Sequence, residues 1–144
     1  MFVLANLSSI LIGTTHALVI RRRIFPASAR PDPLEQAERE ARHRRDLRAR
    51  AADIARNSPQ TAWEMRIGRP DLPRNVDDGG LVDINHAPAS ARMTIPHMTP
   101  DLAERIVRLR DDVGGFGSAE EVAALAQLPP TLTPHLPEHA VFLR

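Results

Sequence analysis

The chain has 144 residues, with 19 basic residues, 18 acidic residues and no cysteine. This length allows one domain of ordinary size with an appendage. The absence of cysteine excludes disulfides, thiolate metal sites and cysteine nucleophiles. Residues 21–56 hold eleven arginines against six acidic residues, whereas residues 80–144 hold five arginines against eight acidic residues. The net charge of +1 therefore hides a basic segment followed by an acidic one.

Residues 2–20 contain no charged side chain, and Arg21, Arg22 and Arg23 follow directly. A helix of this length, at about 1.5 Å per residue, crosses most of a hydrocarbon core that is roughly 30 Å thick. The segment predicts a single membrane-anchor helix in residues 1–23, and a buried helix of a soluble domain is the alternative. Positive charge beside a span stays on the cytoplasmic side. We therefore expect a single-pass membrane protein whose C-terminal domain faces the cytoplasm, with the three arginines against anionic lipid.

Residues 24–79 form a linker between this anchor and the C-terminal region. After three prolines, the run from Leu34 to Arg56 predicts a basic helix rich in alanine, arginine and glutamate. Its few large apolar residues indicate a mostly solvated helix, which is either a spacer or a segment held near anionic lipid. Nucleic-acid binding is the third interpretation, because the basic run has no interleaved aromatic residues. An extended arm follows, and we expect Trp63 to dock it onto the C-terminal domain.

Residues 80–144 predict a small all-α domain of four or five short helices. Asn85 is expected to cap the first helix, and Thr99 with Pro100 to begin the next. From Asp101 to Val113, apolar residues recur at helical spacing, with Ile106 in the middle of the apolar stripe. Ser118 and Glu121 predict a capping box that begins a third helix.

Several segments of this region resemble, in order and spacing, the helix-hairpin-helix domain of ComEA-type competence DNA-uptake proteins. The resemblance covers Gly80 to Leu136 and is carried by Leu81 to Ala87, Ile95 with Pro96, Leu102 to Ile106, Gly114 to Ser118, and Glu120 to Val122. It implies a paired helix-hairpin-helix (SAM-like) fold and contact with the phosphates of duplex DNA.

In that family each hairpin turn carries a Gly-hydrophobic-Gly sequence whose backbone N–H groups bind a DNA phosphate. The matching positions here are His97, Met98, Thr99, Gln127, Leu128 and Pro129. Both glycines are replaced in both turns, and Pro129 has no N–H to donate. The basic residues that could support phosphate contact are Arg92, Arg105 and Arg108. Because residues 80–144 are also net acidic, the sequence predicts that DNA contact is weak or lost.

Motifs for catalysis and cofactor binding are not found. The sequence has no phosphate-binding loop of the Gly-x-x-x-x-Gly-Lys type, no Gly-x-Ser-x-Gly elbow and no His-Glu-x-x-His pair, so no enzyme activity and no cofactor are expected. His135 and His139 are four residues apart with Glu138 beside them. Since Pro137 is expected to break the helical face that they would share, the sequence predicts no metal site.

The favoured interpretation is a non-catalytic, membrane-anchored helix-hairpin-helix module that acts as a protein-interaction scaffold, with an unidentified protein as its partner. The first alternative is a ComEA-like protein that binds duplex DNA phosphates non-specifically through its two hairpins. The second is the cytoplasmic regulatory tail of a larger membrane protein.

Overall fold

A computed structural model of the chain describes residues 32–144. The anchor helix predicted in residues 1–23, with its arginine flank, lies outside the described residues. By their internal contacts, residues 39–144 form one compact unit. In the described part of the chain, no helix is both long enough and apolar enough to cross a membrane.

The described residues are mostly helical, which agrees with the all-α class predicted from the sequence. Two very short strands are the exception, and the sequence pattern did not predict them. The elements are α1 (Pro33–Asn57), α2 (Pro59–Glu64), β1 (Val82–Asp83), α3 (Ala89–Arg92), α4 (Pro100–Val113), α5 (Ala119–Leu125), α6 (Leu136–His139) and β2 (Ala140–Val141).

The two strands join the beginning of the C-terminal region to its end. They pair in parallel, with Val82 opposite Ala140 and Asp83 opposite Val141. The backbone N–H of Ile84 donates to the carbonyl of Val141 at 2.9 Å. The strand pairing thereby brings together the two ends of the segment that contains helices α3 to α6.

Helix α4 has the amphipathic character and the ends that the sequence predicted. The Thr99 side chain accepts a hydrogen bond from the Leu102 N–H at 3.4 Å, and Pro100 lies in the first turn. Gly114 ends the helix in the left-handed conformation, with φ +76°. The middle of the apolar stripe, Ile106, is fully buried. The main core that it joins also contains Ile84, Ile95, Phe116, Val122, Leu132 and Leu136.

A second, smaller core attaches α1 to the C-terminal region. Ala51 of α1 is buried beside Ile67, Leu81, Val141 and Leu143. Ala52, Ile54 and Ala55 add partly buried contacts from the same helix. The expectation of a mostly solvated linker helix therefore describes the first half of α1 and not its second half, because alanines let the helix backbone approach closely without large apolar side chains.

The turn at Gly79 approaches α1 closely. Gly79 has φ +71°, and a Cβ at this position would lie 2.4 Å from the Arg44 carbonyl oxygen and 2.8 Å from Arg48 Cγ. Arg48 also donates from Nη1 to the Gly79 carbonyl at 3.0 Å. Only a residue without a side chain allows this helix and this turn to meet.

Helix α2 and the arm that joins it to β1 dock mainly through residues other than Trp63. Ile67 and Ala62 are buried, whereas Trp63 remains 37% exposed and meets the edge of the His86 ring with centroids 4.5 Å apart. Asp78, also buried, accepts a hydrogen bond from the Gly68 N–H at 2.8 Å and pairs with Arg74. Trp63 therefore contributes one ring contact, with His86, and the buried Asp78 carboxylate contributes the polar contacts.

Candidate functional site

The first hairpin consists of α3, a turn and α4. His97 lies in the turn with φ +64°, the left-handed conformation that favours glycine. The next residue, Met98, is buried, and its N–H donates to the Ile95 carbonyl at 3.1 Å. Met98 therefore anchors the turn to the core, while the exposed His97 and Thr99 stand on either side of it.

The second hairpin repeats this backbone geometry after α5. Gln127 has φ +48°, and the N–H of Leu128 donates to the Ala123 carbonyl at 3.1 Å. Leu128 packs against the main core. A helical turn follows in which the Leu132 N–H donates to the Pro129 carbonyl at 2.9 Å. Both residues that match the first glycine of a hairpin turn thus keep the left-handed backbone.

The comparison with known families agrees with this geometry. A sequence model described as the helix-hairpin-helix motif matches residues 77–135. These residues form a helix-hairpin-helix domain. The matched range contains both turns, so the two left-handed positions belong to the two hairpins. No curated protein and no solved structure matches the chain significantly.

The turns of the helix-hairpin-helix domain offer few backbone donors to an anion. In the first hairpin, the Pro100 nitrogen bears no hydrogen and Asp101 places a negative charge in the first turn of α4. In the second hairpin, Pro129 and Pro130 both lack the N–H group. A helix N-terminus attracts an anion through its free N–H groups and its dipole, and these residues weaken both attractions.

Arg92 does not lie on the surface of the helix-hairpin-helix domain. Its side chain is fully buried, and Nη2 donates to the Ile84 carbonyl at 2.5 Å. Burial lowers the pKa of this guanidinium to about 10. Arg92 therefore holds the backbone after β1, and a contact from it to a DNA phosphate is not supported.

The other two arginines singled out in the sequence are accessible. Arg105 and Arg108 are exposed on α4, and Arg108 lies 3.8 Å from Glu104 in an exposed ion pair. An ion pair in this setting is weak, so it leaves Arg108 able to exchange partners. The structure thus keeps two of the three predicted basic residues on the surface.

A buried polar network that the sequence did not reveal connects the segment around β1 with the link between the two hairpins and with the residues after β2. Asn85 was expected to cap a helix, but α3 begins four residues later, with Pro88 at the cap position. The Asn85 amide instead donates to the carbonyls of Phe116 (2.9 Å) and Leu143 (3.0 Å) and accepts from the Phe116 N–H (2.8 Å). An asparagine just before a helix is, from the local sequence, expected to cap that helix. The actual partners of Asn85 are distant in the chain, so only the tertiary fold shows them.

The neighbouring Asp83 is the most enclosed carboxylate of this network. It accepts hydrogen bonds from the backbone N–H groups of Asn85 (3.0 Å) and Leu143 (3.3 Å), and its Oδ2 lies 2.6 Å from His86 Nδ1. Burial raises the pKa of Asp83, and the hydrogen bond from His86 acts in the opposite direction. The network is structural, since it fixes β1 to the end of the chain.

Three histidines come together beside the first hairpin turn. The ring of His135 lies 5.0 Å from the ring of His97 and 6.1 Å from the ring of His139, between centroids. Ligand atoms of His135, Glu138 and His139 all lie within 4.8 Å of one another. Pro137 lies in the first turn of α6, where proline is tolerated, so it does not separate the histidines as we had expected.

Proposed function

We propose that the chain is a non-catalytic, membrane-anchored helix-hairpin-helix module that binds a protein partner, with DNA contact weak or lost. Helix-hairpin-helix motifs serve nucleic-acid or protein interaction. The observation that favours a protein partner is the chemistry of the two turns. Each keeps the left-handed backbone but places a side chain, His97 or Gln127, where phosphate approach needs glycine. A fold can persist as an interaction scaffold after its original ligand contacts are lost.

DNA binding is the second candidate, and the match of residues 77–135 to the helix-hairpin-helix motif favours it. In this case His97, Thr99 and Gln127 would contact phosphates from the turns, and Arg105 and Arg108 would add charge from α4. Non-specific affinity of this kind is dominated by phosphate neutralisation, so it falls steeply as salt increases. The net acidic character of residues 80–144 opposes it.

Membrane attachment is the second part of the proposal. It rests on the uncharged run of residues 2–20 and on Arg21, Arg22 and Arg23, which would keep the helix-hairpin-helix domain in the cytoplasm and contact anionic lipid. A regulatory tail of a larger membrane protein is compatible with the same features, and it stays a prediction.

The experiment that separates protein from DNA binding compares two double variants of the full chain. R105A/R108A removes two exposed charges from the helix-hairpin-helix domain, and R50A/R56A removes two exposed charges from α1. Affinity for a short duplex is measured by fluorescence anisotropy at several salt concentrations, with a chelator present. The full chain is needed because α1 packs on the domain through Ala51 and Arg48.

We expect weak binding, roughly 10⁻⁴–10⁻⁶ M at physiological salt, and equal losses in the two double variants. Such a result means that DNA binding depends only on the overall charge of the protein and not on the hairpins. A loss at least about tenfold larger for R105A/R108A would contradict the proposal and favour DNA binding through the hairpins. A third variant with glycine at His97, Thr99, Gln127 and Pro129 should raise the affinity, because it restores the turn sequence of a phosphate-binding hairpin.

A further inference from the structure

The three-histidine cluster is made by both hairpins and is not explained by either candidate function. His97 comes from the turn of the first hairpin, whereas His135 precedes α6 and His139 is the last residue of that helix, at the end of the second hairpin. His97 is exposed, and the other two are half-buried. A dissolved ion can therefore reach all three rings from the solvent.

We propose that His97, His135 and His139 bind a divalent transition-metal ion, with Zn²⁺ as the ion that suits them best. Three imidazole nitrogens and one open position are a ligand set that zinc takes in proteins, at about 2.0–2.1 Å from each nitrogen. Ligand atoms around such an ion are about 3.3 Å apart. Ligand atoms of His135, Glu138 and His139 lie within 4.8 Å of one another, and the His97 ring centroid lies 5.0 Å from that of His135, so side-chain rotations would bring the three rings to this spacing.

One hydrogen bond prepares His139 for this role. Its Nδ1 lies 3.0 Å from the carbonyl oxygen of His135. Because a carbonyl can only accept, Nδ1 must carry the hydrogen, and the lone pair of the neutral ring is then on Nε2. Metal-binding histidines are commonly oriented in this way, through a hydrogen bond from the ring nitrogen that does not bind the metal.

The first hairpin turn places the His97 ring against the second hairpin, with its centroid 5.0 Å from that of His135. The backbone of His97 is left-handed, with φ +64°, a conformation that it shares with Arg66 and Gln127. Because glycine suits this conformation, replacing His97 by glycine removes the ring without straining the turn.

Glu138 is the nearest candidate for the fourth position. Its Oε1 accepts a hydrogen bond from Arg48 Nη2 at 2.5 Å, which leaves Oε2 for a metal ion. The positive charge of Arg48 opposes a nearby cation, so the three histidines carry the proposal and Glu138 or a water completes the coordination. Since Arg48 belongs to α1, the site would also connect α1 to both hairpins.

The test measures Zn²⁺ binding to the full chain, without a histidine tag, by calorimetry, and Co²⁺ binding by its visible absorption. We expect one Zn²⁺ per chain, a tetrahedral Co²⁺ spectrum and a higher melting temperature with metal. H135A and H139A should each weaken binding at least about tenfold. H43A, at an exposed position of α1, is the matched control and should bind like the wild type.

The variant H97G distinguishes loss of a ligand from loss of the fold. Glycine suits φ +64°, so H97G should melt at or above the wild-type temperature without metal, yet bind Zn²⁺ at least about tenfold more weakly. Two results would overturn the proposal: no saturable binding by about 1 mM Zn²⁺, or binding that H97G and H135A leave unchanged. Neither result depends on whether the partner is protein or DNA, because the readout is the metal alone.

Discussion

Asp83 shows how one residue of the domain couples stability to pH. Its carboxylate is fully buried, and burial raises its pKa above the ordinary value of 3.8. At pH values between the pKa of Asp83 in the unfolded chain and its higher pKa in the folded domain, the folded domain binds the carboxyl proton more tightly than the unfolded chain does. The stability that Asp83 contributes is therefore complete below about pH 3.8 and is lost as pH rises through its folded pKa.

We predict that D83N removes this dependence. The amide keeps an oxygen that can accept from the Asn85 and Leu143 N–H groups, so the variant should fold. The free energy of unfolding, measured with urea from about pH 4 upward, should fall in the wild type relative to D83N as pH rises. The control is D71N. Arg69 lowers the pKa of Asp71, so the contribution of Asp71 is lost only as pH falls below about 3.8, and from pH 4 upward the difference between wild type and D71N should stay nearly constant. A difference between wild type and D83N that stays constant with pH would contradict the prediction.

At single positions, the sequence predicted local roles better than distant ones. Thr99 and Ser118 cap their helices as expected, because a cap bonds residues three positions away. Asn85 was misread because its partners, Phe116 and Leu143, are 31 and 58 residues away. The sequence did not predict the proximity of His97 to His135 for the same reason. The two residues are far apart in the chain, and both hairpins must fold before the rings meet.

Among the helices, α1 is held by its contact with the turn at Gly79, and we predict that G79A loosens it. The added Cβ would lie 2.4 Å from the Arg44 carbonyl oxygen, and φ +71° is strained for alanine. G80A is the control, because Gly80 has a similar φ of +87° but no atom within 4 Å of the added Cβ.

The measurement for this pair is hydrogen exchange along α1, together with the free energy of unfolding. Both variants should lose about 1 kcal/mol from backbone strain. Only G79A should lose more and show faster exchange in residues 44–55. Equal exchange in the two variants would show that α1 does not depend on this contact.

The contrast between α4 and α1 explains which elements the sequence could predict. Apolar residues at helical spacing and two local caps defined α4 almost to its ends. Helix α1 was predicted too, but its docking face consists of three alanines, Ile54 and the stem of Arg48. An analysis of large apolar residues overlooks a face made mainly of alanines and an arginine stem. The two-residue strands were missed because their pairing depends on segments far apart in the chain.

For the whole molecule, we predict that the full chain sediments with membranes, whereas a chain beginning at Ala27 stays in the supernatant. The reason is the uncharged run of residues 2–20. Membranes are collected by ultracentrifugation and washed with high salt, which releases proteins held only by arginine and anionic lipid. Recovery of the full chain in the soluble fraction without detergent would contradict the anchor.

The parallel pairing of β1 with β2 has a consequence for synthesis of the protein. Residues 82–83 emerge from the ribosome well before their partners at 140–141 and before Leu143. Until then, Asp83, Asn85 and the small core around Ala51 lack the groups that cover them. Helices α3 to α5 can therefore form while the nascent domain is still partly open, and the domain closes only after residues 140–143 have been translated.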